Sequence, residues 1–288
     1  ITQRATMSPT DALDRREFIK LGTAAVAAAA TARERAAAAP AGLLAAPPIP
    51  LVRIGMVGVG LQGGGHLENF LKIDGCRVTA VCDIREARTT WASQAIAAAG
   101  HPAPTVYARG PRDFERLCET EDLDLVFTAT PWEWHVPVML AAMKAGKHAA
   151  TEVPAAMTVD DCWALVESAE KHQLHAVMME NCNYDRAEMM TFYMVRQGVF
   201  GEVLHAEGGY LHDLRAIKFE KQDEGLWRRA WSMKIDGNPY PTHGLGPIAS
   251  CLDINRGDRF DYLVSMSGPS RGLYDWAREH FPAEAPER

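Results

Sequence analysis

The feature that most constrains the fold of this chain is a glycine-rich turn placed directly after a short apolar run. Residues 52–57 form that run, and the sequence Gly58-Val59-Gly60-Leu61-Gln62-Gly63 follows it. An apolar, β-branched run of this length predicts a buried parallel strand. A G-x-G-x-x-G sequence between such a strand and a helix is typical of a dinucleotide-binding unit. In such a unit Gly58 permits the tight turn, Gly60 lets the backbone approach the pyrophosphate, and Gly63 lets the helix pack on the strand.

A carboxylate at the end of the second predicted strand indicates which dinucleotide is bound. Asp83 lies 25 residues after Gly58, where a carboxylate can bind the ribose hydroxyls of the adenosine half. The same carboxylate would repel the 2′-phosphate of NADP, so we predict NAD as the cofactor. Arg85 could weaken this preference, because its positive charge attracts that phosphate.

Strand-like and helix-like segments alternate along the first two thirds of the chain. The predicted strands are 52–57, 77–82, 105–107, 123–128, 147–151 and 176–179, and the predicted helices are 66–73, 86–99, 113–120, 135–145 and 159–172. This alternation predicts an α/β fold with a doubly wound parallel sheet. We therefore expect a Rossmann domain that binds NAD over residues 51–182.

The pattern changes after Tyr184, and a substrate domain is expected over residues 183–288. Helices are predicted to about residue 197 and from about 243 to 255, strands over 203–211 and 262–268, and a loop over the tryptophan-rich stretch 213–239. These elements predict the start of an α+β domain with a mostly antiparallel sheet. They are too few for a complete second layer, so we expect the chain to be part of a longer protein.

The N-terminal 39 residues have the composition of a targeting region, and residues 40–50 that of a linker. Arg15 and Arg16 precede Phe18 and an alanine-rich stretch, as in a twin-arginine export signal. The stretch is shorter than the roughly 20 apolar residues of a membrane span, so no stable membrane insertion is expected. We predict a periplasmic or secreted protein that uses the twin-arginine export machinery and carries its cofactor with it.

Charge and cysteine spacing argue against two further functions. The formal net charge is −7 and the charges are interspersed, so a nucleic-acid partner is not expected. The six cysteines contain no C-x-x-C pair and no zinc-binding spacing, so no metal site is expected.

Three residues are candidates for proton transfer. His243 and Tyr240 are three positions apart, so one turn of helix would place them on the same side. A histidine titrates near neutral pH and suits a general base, but His243 could equally cap a helix while Tyr240 packs. Tyr184 is a further candidate base or a packing residue. The histidines expected to lie at the surface or at caps are His66, His101, His172 and His175.

Four short segments of the chain are specific enough to indicate a family. They are Thr130-Pro131-Trp132-Glu133-Trp134-His135, Thr151-Glu152-Val153-Pro154, Glu180-Asn181-Cys182-Asn183-Tyr184 and Tyr240-Pro241-Thr242-His243-Gly244-Leu245-Gly246-Pro247. Together they resemble glycoside hydrolase family 109, a branch of the Gfo/Idh/MocA oxidoreductase superfamily. The resemblance runs from the N-terminal signal to about Gly272, and members of that family are considerably longer.

The resemblance implies a set of binding residues. Cofactor contacts are implied at Leu61, Gln62, Trp132, Glu133, Trp134, His135, Glu152, Val153, Asn181 and Tyr240. Substrate contacts are implied at Tyr210, Arg228 (or its neighbour Arg229), Tyr240, Pro241, Thr242 and His243.

Val153 marks a departure from most of the superfamily, where a lysine follows the glutamate and supports hydride transfer. The glycosidase branch shares the departure. The activity that the resemblance implies is removal of a terminal α-linked N-acetylgalactosamine by oxidation at C3, elimination, addition of water and reduction, with NAD regenerated. A sugar or cyclitol dehydrogenase with net NADH production and an inactive NAD-binding chain are the alternatives. The superfamily also makes a homodimer an expectation.

Overall fold

The computed structural model describes residues 47–220 and 224–285, with the side chains of 224–226 excepted. The predicted export signal and most of the linker lie outside the described residues. The strands are β1 (Val52–Val57), β2 (Cys76–Cys82), β3 (Thr105–Tyr107), β4 (Leu125–Thr128), β5 (His148–Thr151) and β6 (Ala176–Met178). They form one parallel sheet of order β3-β2-β1-β4-β5-β6.

Helices connect these strands and continue beyond them. The helices are α1 (Leu61–Phe70), α2 (Glu86–Ala98), α3 (Asp113–Thr120), α4 (His135–Lys144), α5 (Val159–His172), α6 (Arg186–Arg196), α7 (Arg215–Lys218), α8 (Glu224–Lys234), α9 (Thr242–Cys251) and α10 (Gly272–His280). Short 3₁₀ turns lie at Trp132–Trp134 and Cys182–Tyr184. Among the described residues, the helices lack the length and apolar character that a bilayer crossing requires. The predicted Rossmann fold is confirmed.

The sheet has an apolar layer on each face, which is why its strands read as continuous apolar runs. On one face Ile54, Met56 and Phe127 pack with side chains of α1 and α2. On the other face Val57 and Val126 pack with side chains of α3, α4 and α5. Burial on both sides fixes the register of the central strands β1 and β4, where Met56 lies beside Phe127.

The strand order reverses between β1 and β4, because the chain moves outward from β1 in one direction and from β4 in the other. In sheets of this kind a crevice opens at the carboxyl ends of the two strands at that point. Four segments of interest follow strands at this edge: the glycine-rich turn after β1, Asp83 after β2, the loop after β4 and Glu152 after β5.

Two predicted strands are absent from the described residues. Segments 203–211 and 262–268 form no strand, and Leu204, Leu211 and Val264 are exposed. An alternating segment becomes a strand only when a partner supplies hydrogen bonds and a layer covers its apolar side. Because neither segment pairs with another strand, the described residues do not form the predicted antiparallel sheet.

Two local predictions on helices are also wrong. The stretch predicted as a loop over 213–239 contains α7 and α8. Helix α1 begins at Leu61 rather than at His66, although its first turns contain three consecutive glycines, Gly63 to Gly65. Glycine disfavours helix, and here close packing on β1 outweighs that propensity.

Candidate functional site

Two adjoining cavities lie at the carboxyl edge of the sheet. The outer cavity, of about 340 Å³, is lined by residues that include Gly58, Gly60, Asp83 and Arg85. The inner cavity, of about 140 Å³, is lined by Gln62, Glu152, Val153, Arg228 and His243 together with aromatic side chains. Ala129, Thr130 and Trp227 line both. The two cavities therefore form one groove with a larger outer end and a smaller inner end.

The glycine-rich turn fits a dinucleotide because its glycines have different reasons to lack side chains. A Cβ on Gly58, whose φ is +82°, would lie 2.8 Å from the backbone of Ala129. A Cβ on Gly63 would lie within 3.0 Å of the Gly58 backbone. At Gly60, however, the only atom of the described residues within 4 Å of such a Cβ is at the end of the Arg85 side chain, at 3.4 Å. The space over Gly60 is not needed for packing, so it remains for the pyrophosphate at the start of α1.

Asp83 supplies the carboxylate of the outer cavity. It is 9% exposed, and its oxygens accept hydrogen bonds from the backbone N–H groups of Val59, at 3.0 Å, and Arg85, at 2.9 Å. These bonds fix its orientation beside the glycine-rich turn. Each carboxylate oxygen can accept a further hydrogen bond, so the group can still receive both hydroxyls of a ribose.

Glu152 carries the negative charge at the floor of the inner cavity. Its carboxylate pairs with the ring of His66 from α1 and accepts a hydrogen bond from the Val153 N–H at 3.0 Å. Burial alone would raise the pKa of this carboxyl, but these hydrogen bonds outweigh burial and hold the pKa below its ordinary value. Glu152 is therefore ionised, and beside it Val153 contributes no proton-transfer group.

His135 joins the two loops that frame the inner cavity. It is 1% exposed, and its ring nitrogens lie 2.7 Å from the Pro154 carbonyl oxygen and 2.9 Å from the Thr130 carbonyl oxygen. Burial lowers the pKa of His135, although the two carbonyls act in the opposite direction. The ring thus lies between the loops after β4 and β5, donates to one of the two carbonyls when it is neutral, and lines the inner cavity.

A cluster of aromatic side chains lines part of the inner cavity. The ring of His243 lies 4.5 Å from that of Tyr210 and 5.7 Å from that of Tyr240. Burial raises the pKa of Tyr210, so its hydroxyl stays protonated and can donate. His243 also pairs through Nδ1 with the buried carboxylate of Glu180, at 2.6 Å.

Tryptophans from α8 form the side wall. Trp132 packs edge-on against Trp227 at 5.0 Å and against Tyr240 at 5.3 Å. The guanidinium of Arg228 lies 4.7 Å from the centre of the Trp227 ring. Trp231 Nε1 also donates a hydrogen bond to the Glu133 carboxylate at 3.1 Å, which connects α8 to the loop after β4. Helix α8, expected to be a loop, therefore encloses the groove.

The structure brings most of the predicted site residues to the groove. Leu61, Gln62, Trp132, His135, Glu152, Val153, Tyr210, Arg228, Tyr240 and His243 line the inner cavity, and Gly58, Gly60, Asp83 and Trp134 line the outer one. Arg228 rather than Arg229 faces the groove, because Arg229 lines a separate cavity.

Other predicted residues lie elsewhere. Tyr184 is 77% exposed and lines neither cavity, because the 3₁₀ turn after β6 directs it outward. Asn181 on the same segment is exposed as well. Pro241 and Thr242 begin α9 without lining the groove, and Glu133 is exposed and bound to Trp231.

Sequence analysis did not single out some residues of the site, among them His66, Glu180 and Trp227. His66 was expected at the surface, but its ring packs on Phe127 at 4.7 Å and pairs with Glu152. The partners of His66 and Glu180 are 86 and 63 residues away along the chain, which no local pattern encodes. For Glu180 the available signal was its place at the end of a predicted strand.

Glu180, Cys182 and His243 also form a cluster of metal-ligating residue types, with their atoms within 4.8 Å of one another. Burial, and next the charge of Glu180, raise the pKa of the Cys182 thiol to about 11, so the thiol stays protonated. The 2.6 Å between the histidine nitrogen and the carboxylate oxygen is shorter than the roughly 3.3 Å that separates two ligands of one tetrahedral zinc. The arrangement fits a hydrogen bond better than a metal.

Comparison with known proteins agrees with this geometry. Residues 52–180 match the family model described as the NAD-binding Rossmann fold of an oxidoreductase family. A scyllo-inositol dehydrogenase from Lactobacillus casei, solved with NAD(H) and scyllo-inositol, has a TM-score of 0.47 and 25% identity, over 53% of this chain and 43% of that one. The matched family model defines residues 52–180 as an NAD-binding α/β domain of the Gfo/Idh/MocA type, and the predicted cofactor, NAD, is confirmed.

The remaining part of the chain shows to which family within this class the protein belongs. Residues 184–288 match the C-terminal domain of glycosyl hydrolase 109. An alpha-N-acetylgalactosaminidase from Bacteroides fragilis is 47% identical over 85% of this chain and 58% of its own length. A glycosyl hydrolase family 109 protein from Saccharopolyspora erythraea is 48% identical over 82% of this chain and 51% of its own. The chain therefore belongs to glycosyl hydrolase family 109, and it spans about half the length of these relatives.

Proposed function

We propose that this chain is part of an NAD-dependent glycosidase that removes terminal α-linked N-acetylgalactosamine. The observation that carries the proposal is that His243, a proton acceptor, lines the same cavity as Gln62 and Glu152 at the inner end of the NAD groove. The activity named for the relative from Bacteroides fragilis supports the choice of sugar.

NAD bound in this groove would supply reversible removal of hydride from C3 of the sugar. The remaining steps need proton transfer, which side chains of the inner cavity can provide. His243 accepts the proton of the C3 hydroxyl. Tyr240, the neighbouring acid-base group, removes the proton from C2 once C3 is a ketone. The guanidinium of Arg228 lies 6.0 Å from the centre of the Tyr240 ring.

Val153 separates the proposed glycosidase from a dehydrogenase that releases NADH. A valine next to Glu152 cannot assist a hydroxyl proton in leaving, so the acid-base work falls to other residues of the cavity. Tyr210, Tyr240 and His243 line the same cavity and carry groups that can transfer a proton.

Hydrolysis of a chromogenic α-N-acetylgalactosaminide tests the proposal. We expect release of the chromophore without net NADH, because the hydride removed at C3 is returned. NADH accumulating in step with substrate loss would establish a dehydrogenase, and neither signal would leave an inactive NAD-binding protein. The assay uses the full product of the gene that encodes this chain.

In the same assay, replacing His243 with alanine tests whether this residue is the general base. Turnover should fall by roughly 10²–10⁴-fold, the usual loss for a general base, while NAD content stays near normal because the glycine-rich turn and Asp83 are untouched. Near-normal turnover in this variant would assign the proton transfer to Tyr240 instead.

We also propose export through the twin-arginine machinery, so that the protein acts in the periplasm or outside the cell with NAD already bound. The support is the sequence at Arg15 and Arg16. Replacing both with lysine should leave NAD-loaded protein in the cytoplasm, and unchanged delivery would reject the proposal. The homodimer stays a prediction, which sedimentation of the purified protein would test.

A further inference from the structure

A buried carboxylate, Glu180, contacts the histidine that serves as the base in the proposed function, on which its role here rests. Glu180 lies two residues after β6, and His243 is the second residue of α9. Their side chains are 5% and 9% exposed, and Glu180 Oε1 lies 2.6 Å from His243 Nδ1. A buried acid in contact with one nitrogen of a histidine leaves the other nitrogen as the reactive one.

The charge of Glu180 decides which nitrogen carries the proton. Burial alone would raise the pKa of this carboxyl, but hydrogen bonds from His243 and from the N–H groups of Cys182 and Asn183 hold it below its ordinary value. An ionised carboxylate only accepts hydrogen bonds, so Nδ1 of His243 is the N–H donor. Nε2 then has a free lone pair, and His243 lines the inner cavity.

A second set of contacts holds Glu180 rigidly. Its Oε2 accepts hydrogen bonds from the backbone N–H of Asn183 at 2.8 Å and from Asn183 Nδ2 at 2.6 Å. The Asn183 side-chain oxygen in turn accepts from Ser250 Oγ at 2.8 Å, on the same helix as His243. These hydrogen bonds therefore connect two residues of α9, Ser250 and His243, through Asn183 and Glu180.

Gly246 allows α9 to approach this network. A Cβ on Gly246 would lie 2.7 Å from Asn183 Nδ2 and 3.2 Å from Glu180 Oε2. Gly246 is three residues after His243, on the same side of the helix. A larger residue would push the helix away and lengthen the contact between Glu180 and His243, so the glycine keeps the pair in contact.

We infer that Glu180 is a positioning residue that fixes the Nδ1–H tautomer of His243 and stabilises the positive ring formed when Nε2 accepts the C3 hydroxyl proton. In this step the O–H bond of the sugar breaks, an Nε2–H bond forms, and the new charge is balanced by the carboxylate 2.6 Å from the opposite nitrogen. Acid groups that orient a histidine in this way sustain general-base catalysis in other enzymes.

The kinetic test is a double-mutant cycle with E180Q and H243A in the full gene product, loaded with NAD. E180Q keeps the shape of the side chain and removes its charge. We expect its kcat to fall by roughly 10²–10⁴-fold, with KM and NAD content nearly unchanged. In the H243A background the same substitution should have almost no further effect, because Glu180 acts through His243. Independent, multiplying effects of the two changes would overturn the inference.

S250A measures what loosening the network costs while the carboxylate remains. It removes the Ser250 hydroxyl that binds Asn183 and leaves the pair between Glu180 and His243 intact. A loss of kcat as large as that of E180Q would mean that rigidity rather than charge is required, and would overturn the inference.

Nitrogen NMR of the histidine side chains tests the tautomer without substrate. In the unmodified protein His243 should show a protonated Nδ1 and an unprotonated Nε2, and E180Q should show a mixture. A protonated Nε2 in the unmodified protein would overturn the inference even if E180Q does not fold. Because this spectrum needs no hydrolysis, failure of the proposed glycosidase activity remains distinguishable from failure of the tautomer assignment.

Discussion

Substituting alanine at two glycines of α1 separates the packing role of the glycine-rich turn from helix propensity. A Cβ at position 63 would lie within 3.0 Å of the Gly58 backbone and 3.4 Å from Ala129 Cβ. The nearest atoms are backbone atoms of a turn, so they cannot rotate away. In G63A the helix has to move off the strand, and the backbone groups that hold the pyrophosphate move with it.

The matched control is G65A, two residues further along the same helix. Gly65 is exposed, and a Cβ there would have no atom of the described part of the chain within 4 Å. Alanine is a better helix former than glycine by about 1 kcal/mol, so G65A should be slightly stabilised. Both variants add the same methyl group, and they differ only in what that group meets.

We expect G63A to lose about 3 kcal/mol of unfolding free energy, the upper end of the cost of overpacking. For a protein of this size the melting temperature should fall by roughly 6–12 °C, and NAD content should drop. Thermal unfolding by circular dichroism and extraction of bound NAD measure the two effects. If G63A melts at the same temperature as G65A with the same NAD content, the packing argument is refuted.

Three further predictions concern the groove itself. D83A should weaken NAD by roughly 1–3 kcal/mol and shift the preference toward NADP, since Arg85 remains; calorimetry with both nucleotides measures this, and unchanged selectivity would contradict it. Hydrogen bonds hold the pKa of Glu152 below its ordinary 4.5, so its carboxylate stabilises the fold above about pH 4.5 and this contribution is lost as the pH falls through the lowered pKa. In urea unfolding, E152Q should thus have a lower free energy of unfolding than the unmodified protein near neutral pH and nearly the same one in acid. An equal difference in unfolding free energy at both pH values would disprove this pH dependence. W227A should release NAD several times faster than the control W163A, whose tryptophan is 61% exposed; stopped-flow exchange would record equal rates if Trp227 did not cover the cofactor.

The sheet could be predicted from the sequence because its signals are local. Each strand is an apolar run, and each turn to a helix carries glycine or a polar residue, so the element order from β1 to β6 follows from neighbouring residues alone. The segments 203–211 and 262–268 have equally suitable patterns, yet they form no strand. A strand depends on a partner elsewhere in the chain, and an alternating pattern does not reveal whether that partner is present.

The same distinction applies to the site. Gly60, Asp83 and His243 could be found because each occupies a fixed place in a motif. The partners that set the chemistry of the site, His66 for Glu152 and Glu180 for His243, could not, because each pair joins segments far apart in sequence. Helix α8 was missed for a related reason: its tryptophans pack against Trp132 in the loop after β4, a contact that the polar residues around them do not reveal.

The tryptophans beside the groove would provide an optical reporter of the proposed reaction. Trp132 and Trp227, which line the inner cavity, have ring centres 5.0 Å apart, and Trp231 lies 6.3 Å from Trp132. Reduced nicotinamide absorbs light in the range where tryptophan emits, whereas the oxidised form does not. A reaction that returns its hydride leaves no change in bulk absorbance, but each turnover would briefly dim the emission of these indoles. Redox events confined to a single closed groove should therefore be visible in the fluorescence of the protein itself.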